Sequence, residues 1–403
     1  MSISQISYQF VFSHRRIIFS LFQTFVMKSS KINFFIFLFL NFYFVSCDLD
    51  EGETCTLKAN SSFYNGLPGM CMHFNECQKI KQLWKDKAIT RDQLTICSRA
   101  KKIICCPTEE RISQKKCKEY GEKVFRITKI GSLIGQQPHE IRRSMCTHKS
   151  ISLIIGGTEA ENHEFPHQAL LGYATENTEV KWLCGGSLVS PNFVLTAAHC
   201  LFSRQIGHVQ KVKVGMKYKD QEDDNRNVFI YNIKETFKHQ NYNEQTFNED
   251  IALLKLDGTV PINENILPIC LPTKQHDDFK AIATGFGRTQ TYGQQSEVLL
   301  KVALESFTHS ECKESYPDDG IVQIDEETML CFGHHSQRMD ICRGDSGGPL
   351  QISNDNNVHC TYTQIGIASF GPSRCGTINL PSSFTNVFNY HNWIEGIVWD
   401  NEV

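Results

Sequence analysis

The first pattern along the chain is an apolar run from Ile32 to Val45, preceded by lysines and followed by Ser46 and Cys47. A basic start, an apolar middle and a small-residue end are typical of a signal peptide. The run has 14 residues, including two asparagines, whereas a membrane-spanning helix needs about 20 apolar residues. We therefore expect a signal peptide over 27–47, starting at Met27, rather than an uncleaved membrane anchor. Residues 1–26 would then be an untranslated or extended N-terminus.

The second pattern is a helical stripe within a short cysteine-rich segment, 48–107. Between Cys77 and Ile96, the apolar residues Ile80, Leu83, Trp84 and Ala88 recur at helical spacing. The pattern favours a stripe that packs on a small core, and a partner-binding face is the alternative. The stretch 108–153 is basic and weakly periodic and contains several glycines, which indicates a linker.

The third pattern covers residues 154–403, where short β-branched runs are broken by Gly, Asn and Asp. Examples are VKVGMK, NVFIYNI, AIATGFG and QIGIASF. This spacing predicts an all-β barrel or sandwich. The end differs, because Tyr390, Trp393, Ile394 and Ile397 recur at i, i+3, i+4 and i+7, which predicts a terminal amphipathic helix.

The amino-acid composition indicates the cellular compartment of the protein more clearly than its function. The 403 residues are 40% hydrophobic and 21% charged, near the globular average, which argues against wholesale disorder. The formal charge of −3 gives no reason to expect nucleic acid as a partner. Seventeen cysteines without paired CxxC zinc motifs indicate an exported, disulfide-bonded protein. Cleavage after Cys47 leaves an even number, and spacing alone permits 15 pairings of the six cysteines in 48–107.

Three segments of the last 250 residues carry candidate chemistry: LTAAHC at 195–200, NEDIALLKL at 248–256 and CRGDSGGPL at 342–350. A serine hydroxyl becomes a nucleophile only beside a base that a third group orients. Ser346, His199 and Asp250 can fill these roles, in the chain order His, Asp, Ser of the chymotrypsin class. Gly344 would let its own N–H and that of Ser346 form an oxyanion hole.

These motifs resemble those of trypsin-like serine proteases of the chymotrypsin family. Together with the cysteine spacing and the terminal CCP of 48–107, they make the chain similar to arthropod clip-domain serine proteases. The resemblance implies a chymotrypsin-like double β-barrel over 154–403 with a C-terminal helix, a disulfide-rich clip domain over 48–107 and a linker or propeptide over 108–153. It implies a secreted serine endopeptidase and no cofactor.

The resemblance also implies the disulfide pairing. The expected pairs are Cys55–Cys105, Cys71–Cys97, Cys77–Cys106, Cys184–Cys200, Cys312–Cys331 and Cys342–Cys375. The family ties its linker to the catalytic domain, which we assign to Cys146–Cys270. Cys117 then remains for Cys360.

Specificity is implied by the residues around the primary pocket. Asp340 lies six residues before Ser346, where trypsin-like relatives place a carboxylate at the pocket base, so Arg or Lys is expected before the scissile bond. Ser369 and Gly371 resemble the strand that pairs with substrate backbone. Ser382 replaces the usual wall glycine and Ile341 a small polar residue, and both are expected to narrow the pocket.

The family's activation pattern is found at Ile154, within IIGG. Its freed ammonium would pair with Asp345, and Leu153 before the cut implies an activating protease of chymotrypsin-like specificity. The expected substrate is a protein, namely a downstream zymogen in an extracellular cascade. The expected inhibitor is a serpin, and neither nucleic acid nor a membrane is expected as a partner. The immune, clotting and developmental pathways stay open.

The sequence also bears on a metal site, a glycosylation site and two alternative functions. The acidic residues Glu222, Asp223 and Asp224 lie near the family's calcium loop, but Met216 replaces the first ligand, so we expect a solvated loop and no metal. Asn60 begins an N-glycosylation sequon. The alternative functions are a non-catalytic clip-domain cofactor or binding protein on the same fold, which the complete triad disfavours, and a digestive protease, which the regulatory module disfavours.

Overall fold

The fold was analysed in a computed structural model. It describes residues 49, 51–57, 68–85, 89–91, 93–107, 111–130, 139–145, 157–175, 178–222, 227–273, 275, 280–316, 323–338, 340–353 and 361–400. Over these ranges, every helix is too short or too polar to span a bilayer. The expected signal peptide, 27–47, and residues 1–26 lie outside them.

The clip segment folds around a four-stranded antiparallel sheet of order β1-β2-β4-β3. Its elements are β1 (Thr54–Thr56), β2 (Pro68–His73), α1 (Gln78–Lys85), β3 (Ile96–Ser98) and β4 (Ile103–Pro107). Three disulfides cross it as the resemblance implies: Cys55–Cys105, Cys71–Cys97 and Cys77–Cys106. A sheet this small buries little apolar surface, so the cross-links substitute for part of a core.

Helix α1 forms within the segment where helical spacing predicts it. Ile80 and Leu83 are buried against the sheet, but Trp84 is 42% exposed and meets Phe74 edge-on. Of the three stripe residues that the structure describes, two reach the core, so the stripe is narrower there than the sequence indicates. Ala88 lies outside the described residues.

The expected linker contains regular structure. It forms α2 (Ile112–Glu122) and a hairpin of β5 (Phe125–Ile130) and β6 (His139–Ser144). The start of α2 is fixed by a buried ion pair in which Arg111 Nη2 lies 2.7 Å from Glu395 Oε2, near the C-terminus. The Ser113 hydroxyl and backbone N–H donate to Glu395 Oε1. This partner is remote in sequence, which explains why local periodicity gives no signal.

The remaining chain forms two antiparallel barrels, which confirms the double-barrel expectation. In the first, the ring β8-β9-β10-β14-β13-β12 closes through a pairing of β12 with β8, and β11 adds to β12. Its strands are β8 (Gln168–Tyr173), β9 (Lys181–Ser190), β10 (Phe193–Thr196), β11 (Phe202–Ser203), β12 (Gly207–Val214), β13 (Phe229–Lys238) and β14 (Ala252–Leu256).

The second barrel closes in the same way, through a pairing of β15 with β16. Its strands are β15 (Lys280–Gly285), β16 (Leu300–Ser306), β17 (Met329–Gly333), β18 (Pro349–Ser353), β19 (Tyr362–Phe370) and β20 (Ser382–Asn386), with β7 (Thr158–Glu159) added to β16. Helix α3 (His309–Ser315) begins with a capping box of Thr308 and Glu311.

The chain ends in the predicted amphipathic helix. A 3₁₀ turn, Val387–Tyr390, leads into α4 (His391–Val398), which buries Ile394 and carries Glu395, the partner of Arg111. Phe388 in that turn belongs to the buried cluster of the clip segment. The clip and its connecting segment therefore pack on the C-terminal part of the protease region.

Candidate active site

His199 and Asp250 are in direct contact. His199 lies in a 3₁₀ turn, Ala198–Leu201, just after β10, and Asp250 lies two residues before β14, which pairs with β10. His199 Nδ1 is 2.7 Å from Asp250 Oδ2, and the His199 backbone N–H donates to Oδ1 at 2.9 Å. The pairing of the two strands therefore holds the ring and the carboxylate in register.

Asp250 is fully buried and has a further donor that the sequence analysis did not assign to it. The Ser369 hydroxyl donates to Asp250 Oδ2 at 2.5 Å. The resemblance implies that Ser369 lies on the substrate-binding strand, and it is the next-to-last residue of β19. The sequence indicated a role for Ser369 only through its backbone. Its side chain points inward and bonds Asp250, and the signal that could have shown this is the small polar residue type at this position.

The electrostatics of this pair suit a general base. Burial alone favours the neutral imidazole, but the charge and hydrogen bond of Asp250 outweigh it and raise the pKa of His199. Burial likewise opposes ionisation of Asp250, yet His199 and the Ser369 hydroxyl hold the pKa of Asp250 below its usual value. Asp250 therefore stays ionised and fixes the proton on Nδ1, which leaves Nε2 to accept one.

Ser346 lies in a glycine-rich turn that packs against the His199 segment. Gly344 and Gly347 have φ of +107° and +77°, a region that favours glycine. A Cβ on Gly347 would lie 2.2 Å from Thr196 Oγ1 and 3.1 Å from Cys200 Sγ. Gly185 N–H donates to the Ser346 carbonyl. Within the described ranges, no protein group accepts the N–H of Gly344 or Ser346.

Asp340 lies in a cavity of about 870 Å³. The Ser382 hydroxyl donates to its Oδ2 and the Ile341 N–H to its Oδ1, each at 2.8 Å. Burial raises the pKa of Asp340 to about 7, in spite of these two donors. A Cβ on Gly371 would lie 2.5 Å from Ser382 Oγ, so the Ser382 side chain fills the wall beside Gly371.

Asp345 lines the same cavity. Its carboxylate accepts the N–H groups of Gly287 and Cys342, at 2.7 and 2.9 Å. Burial raises the pKa of Asp345 to about 6. No Lys, Arg or His among the described residues forms an ion pair with it.

Disulfides brace the segments around the site. Cys184–Cys200, Cys312–Cys331 and Cys342–Cys375 are bonded as the resemblance implies. The assignment of Cys270 to Cys146 is wrong, as is that of Cys117 to Cys360, because Cys117 in α2 bonds Cys270. Helix α2, rather than the chain beyond the hairpin, places a cysteine within reach of Cys270. Cys146 and Cys360 lie outside the described residues.

Several other predicted residues also fall outside them, namely Leu153, Ile154, Asn60, Asp223 and Asp224. In the part of the chain that is described, the two groups with metal-ligand spacing consist largely of disulfide-bonded cysteines, which cannot act as thiolate ligands. The loop near Glu222 instead receives the buried ammonium of Lys213, which donates to the carbonyls of Lys219 and Gln221 at 2.9 and 2.7 Å.

Comparison with known proteins agrees with this geometry. The trypsin family model matches residues 154–394. The chain belongs to the trypsin family. It is a clip-domain serine endopeptidase, and it is similar to the serine protease snk of Drosophila melanogaster, with 31% identity over 88% of this chain and 80% of that one.

Other relatives match over most of their length as well. The CLIP domain-containing serine protease B4 of Anopheles gambiae is 29% identical over 87% of this chain and 93% of its own. The venom serine protease Bi-VSP of Bombus ignitus is 27% identical over 90% and 97%. The similarity therefore extends through the clip segment as well as the protease region.

Proposed function

We propose that this clip-domain protease hydrolyses peptide bonds through an acyl-enzyme formed on Ser346. His199 takes the Ser346 proton and later gives it to the leaving amine, while Asp250 holds the ring and stabilises the imidazolium. The N–H groups of Gly344 and Ser346 bind the oxyanion. The observation that carries the proposal is the hydrogen-bonded chain from His199 through Asp250 to Ser369.

The proposed specificity is for Arg or Lys before the scissile bond. Asp340 is a cavity carboxylate with two neutral donors and a raised pKa, so a cationic side chain would stabilise its ionised form. Ser369 and Gly371 would pair with substrate backbone, and Ser382 would narrow the pocket. Changing Asp340→Ser should reduce cleavage after Arg and Lys far more than cleavage after apolar residues. Equal losses would mean that Asp340 is merely structural.

Activation by a cut between Leu153 and Ile154 is the second part of the proposal. Gly157 lines the cavity that contains Asp345, and three residues span at most about 10 Å. The ammonium of a freed Ile154 would thus have a short path to a carboxylate that lacks a cationic partner within the described ranges. Such a pairing would fix Asp345 and the adjoining Gly344.

The proposed setting is an extracellular proteolytic cascade that uses a secreted zymogen. Two features favour regulated activation by another protease. The clip segment is disulfide-bonded, and an enzyme that cleaves after Arg or Lys would not cut its own junction after Leu153. That activator would have a chymotrypsin-like pocket, and the partners would be a downstream zymogen and a serpin. The name of one relative, Melanization protease 1 of Drosophila melanogaster, agrees with the immune alternative.

The catalytic assignment is tested with Ser346→Ala and an organophosphonate probe. The wild-type cut form should be labelled and hydrolyse amides, whereas the variant should fold, be cut at the junction and lose activity by several orders of magnitude. A wild-type enzyme that is neither labelled nor active would favour the alternative, a non-catalytic clip-domain cofactor.

The activation site is tested separately. Trypsin should leave the 153–154 bond of the wild-type chain intact, chymotrypsin should cut it, and Leu153→Arg should make the zymogen trypsin-activatable. N-terminal sequencing identifies the cut, and an active form that begins anywhere other than Ile154 contradicts the proposal.

A further inference from the structure

The side chain of Gln295 lies directly against the α-carbon of Gly344. A Cβ on Gly344 would lie 2.4 Å from Gln295 Nε2 and 3.0 Å from Gly287 Cα. Gly344 also has φ of +107°, and glycine adopts positive and negative φ with similar ease. Its conformation is therefore set by the groups packed around it, and Gln295 is the side chain nearest to the position that a Cβ on Gly344 would take.

Gln295 is itself held by a lysine from another segment. Lys219 Nζ donates to Gln295 Oε1 at 2.6 Å. The backbones of the two segments are also joined, because Lys219 N–H donates to the Glu297 carbonyl at 2.8 Å and Leu299 N–H to the Lys217 carbonyl at 2.9 Å. The amide of Gln295 is thus oriented with its oxygen toward Lys219 and its nitrogen toward Gly344.

The loop that carries Lys219 has a rigid internal frame. The buried ammonium of Lys213 donates to the carbonyls of Lys219 and Gln221. Gln221 Oε1 accepts the N–H groups of Lys217 and Tyr218, at 2.7 and 2.8 Å. These bonds hold the backbone on both sides of Lys219.

We propose that Gln295, oriented by Lys219, is a positioning residue for the oxyanion hole. Its amide restrains the backbone of Gly344, so that the Gly344 N–H stays aligned with the reacting carbonyl oxygen. The proposal rests on the oxyanion role proposed above for Gly344. Because removal of a whole oxyanion donor costs about 10²–10³ in rate, loosening one donor is expected to cost about tenfold.

The test compares the cut forms of Gln295→Ala and Lys219→Met with two controls, Gln294→Ala and Lys211→Met. Gln294 is the exposed neighbour of Gln295, and Lys211 lies on the same strand as Lys213. The measurements are kcat, KM, and inhibition by a peptide aldehyde, whose adduct with Ser346 places an oxyanion at Gly344, and by benzamidine, which occupies only the primary pocket.

Gln295→Ala and Lys219→Met should each lower kcat and aldehyde affinity about tenfold, with KM and benzamidine affinity unchanged. The double variant should be no worse than Gln295→Ala, since Lys219 acts through Gln295. Unchanged kcat and aldehyde affinity, or an equal loss of benzamidine binding, would overturn the proposal. If the wild-type enzyme is not labelled by the phosphonate, the proposed function fails instead, and the φ of Gly344 in a crystal structure of Gln295→Ala still decides whether Gln295 positions it.

Discussion

At the scale of single residues, the buried carboxylate of Asp250 is held by two side chains, His199 and Ser369. His199 and Asp250 are in contact, as their roles require. The Ser369 hydroxyl, however, bonds Asp250, although its position indicated only a backbone role. The direction of a small side chain at the end of a strand depends on local twist and on the barrel facing it, and neither is encoded in a short motif.

Ser369→Ala tests the value of that bond. Loss of a hydrogen bond to a buried carboxylate costs about 1.5–3 kcal/mol, and Asp250 must hold His199 throughout the reaction. We expect kcat to fall about tenfold with little change in KM, measured on a peptide substrate of the cut enzyme. The matched control is Ser383→Ala, on the neighbouring strand β20, which should leave kcat unchanged. A change confined to KM would contradict the assigned role.

Asp340 gives a prediction about pH. Burial raises its pKa to about 7, so it must lose a proton before it can pair with a cation. The affinity of the cut enzyme for benzamidine should rise about tenfold per pH unit below 7 and level off above it. Inhibition constants between pH 5 and 9 measure this, with Asp340→Ser as the control that loses the dependence. A flat profile in the wild type would show that Asp340 does not face the ligand.

At the scale of elements, period-2 and period-3.6 patterns located the barrels and the terminal helix, but they missed α2. The sequence of this helix has little apolar periodicity. The helix is held instead by the disulfide Cys117–Cys270 and by the Arg111–Glu395 ion pair. Both partners lie far away in sequence, and charged groups buried at such a junction resemble surface charges in a single sequence. The same remoteness explains the wrong cysteine assignment.

The ion pair itself can be tested. The side chains of Arg111 and Glu395 are 1% and 10% exposed, and removing one partner of a buried pair costs about 3–5 kcal/mol. Arg111→Met should therefore lower the free energy of unfolding by about 3 kcal/mol, measured by urea denaturation of the uncut chain. Lys129→Met is the control, since Lys129 pairs with Glu140 on the exposed hairpin, and its effect should stay below about 1 kcal/mol. Equal effects would mean that Arg111 does not secure α2.

At the scale of the whole molecule, the clip, α2 and the protease region form one packed unit. Cys117–Cys270 joins the part before the proposed cut to the part after it, and Phe388 belongs to the clip's buried cluster. A cut at 153–154 would therefore leave the two chains attached. Under the proposed activation, the effect of the cut would be transmitted through the cavity, where the surroundings of Asp345 would change.

The sign of that change follows from the pKa of Asp345. In the uncut chain burial raises it to about 6, against about 3.9 in an unfolded chain. Between these values the folded uncut chain holds a proton that the unfolded chain has lost, so its free energy of unfolding falls as pH rises from about 4 to 6. In the cut chain, an ammonium beside Asp345 would lower its pKa. The contribution of Asp345 to the free energy of unfolding would then be present at pH values above its pKa in the unfolded chain, and it would be lost as pH falls.

Urea denaturation of the cut and uncut chains from pH 4 to 7 measures this difference directly. Acidic groups remote from the cavity titrate alike in both forms, so their contributions cancel, whereas the pKa of Asp340, which burial raises, is raised further by the charge of Asp345 and shifts together with it. We expect the stability of the cut form relative to the uncut form to increase across pH 4 to 6, where Asp345 changes charge, and then to become level. Parallel curves would mean that cutting leaves the Asp345 environment unchanged, and the paired-ammonium switch would then be contradicted.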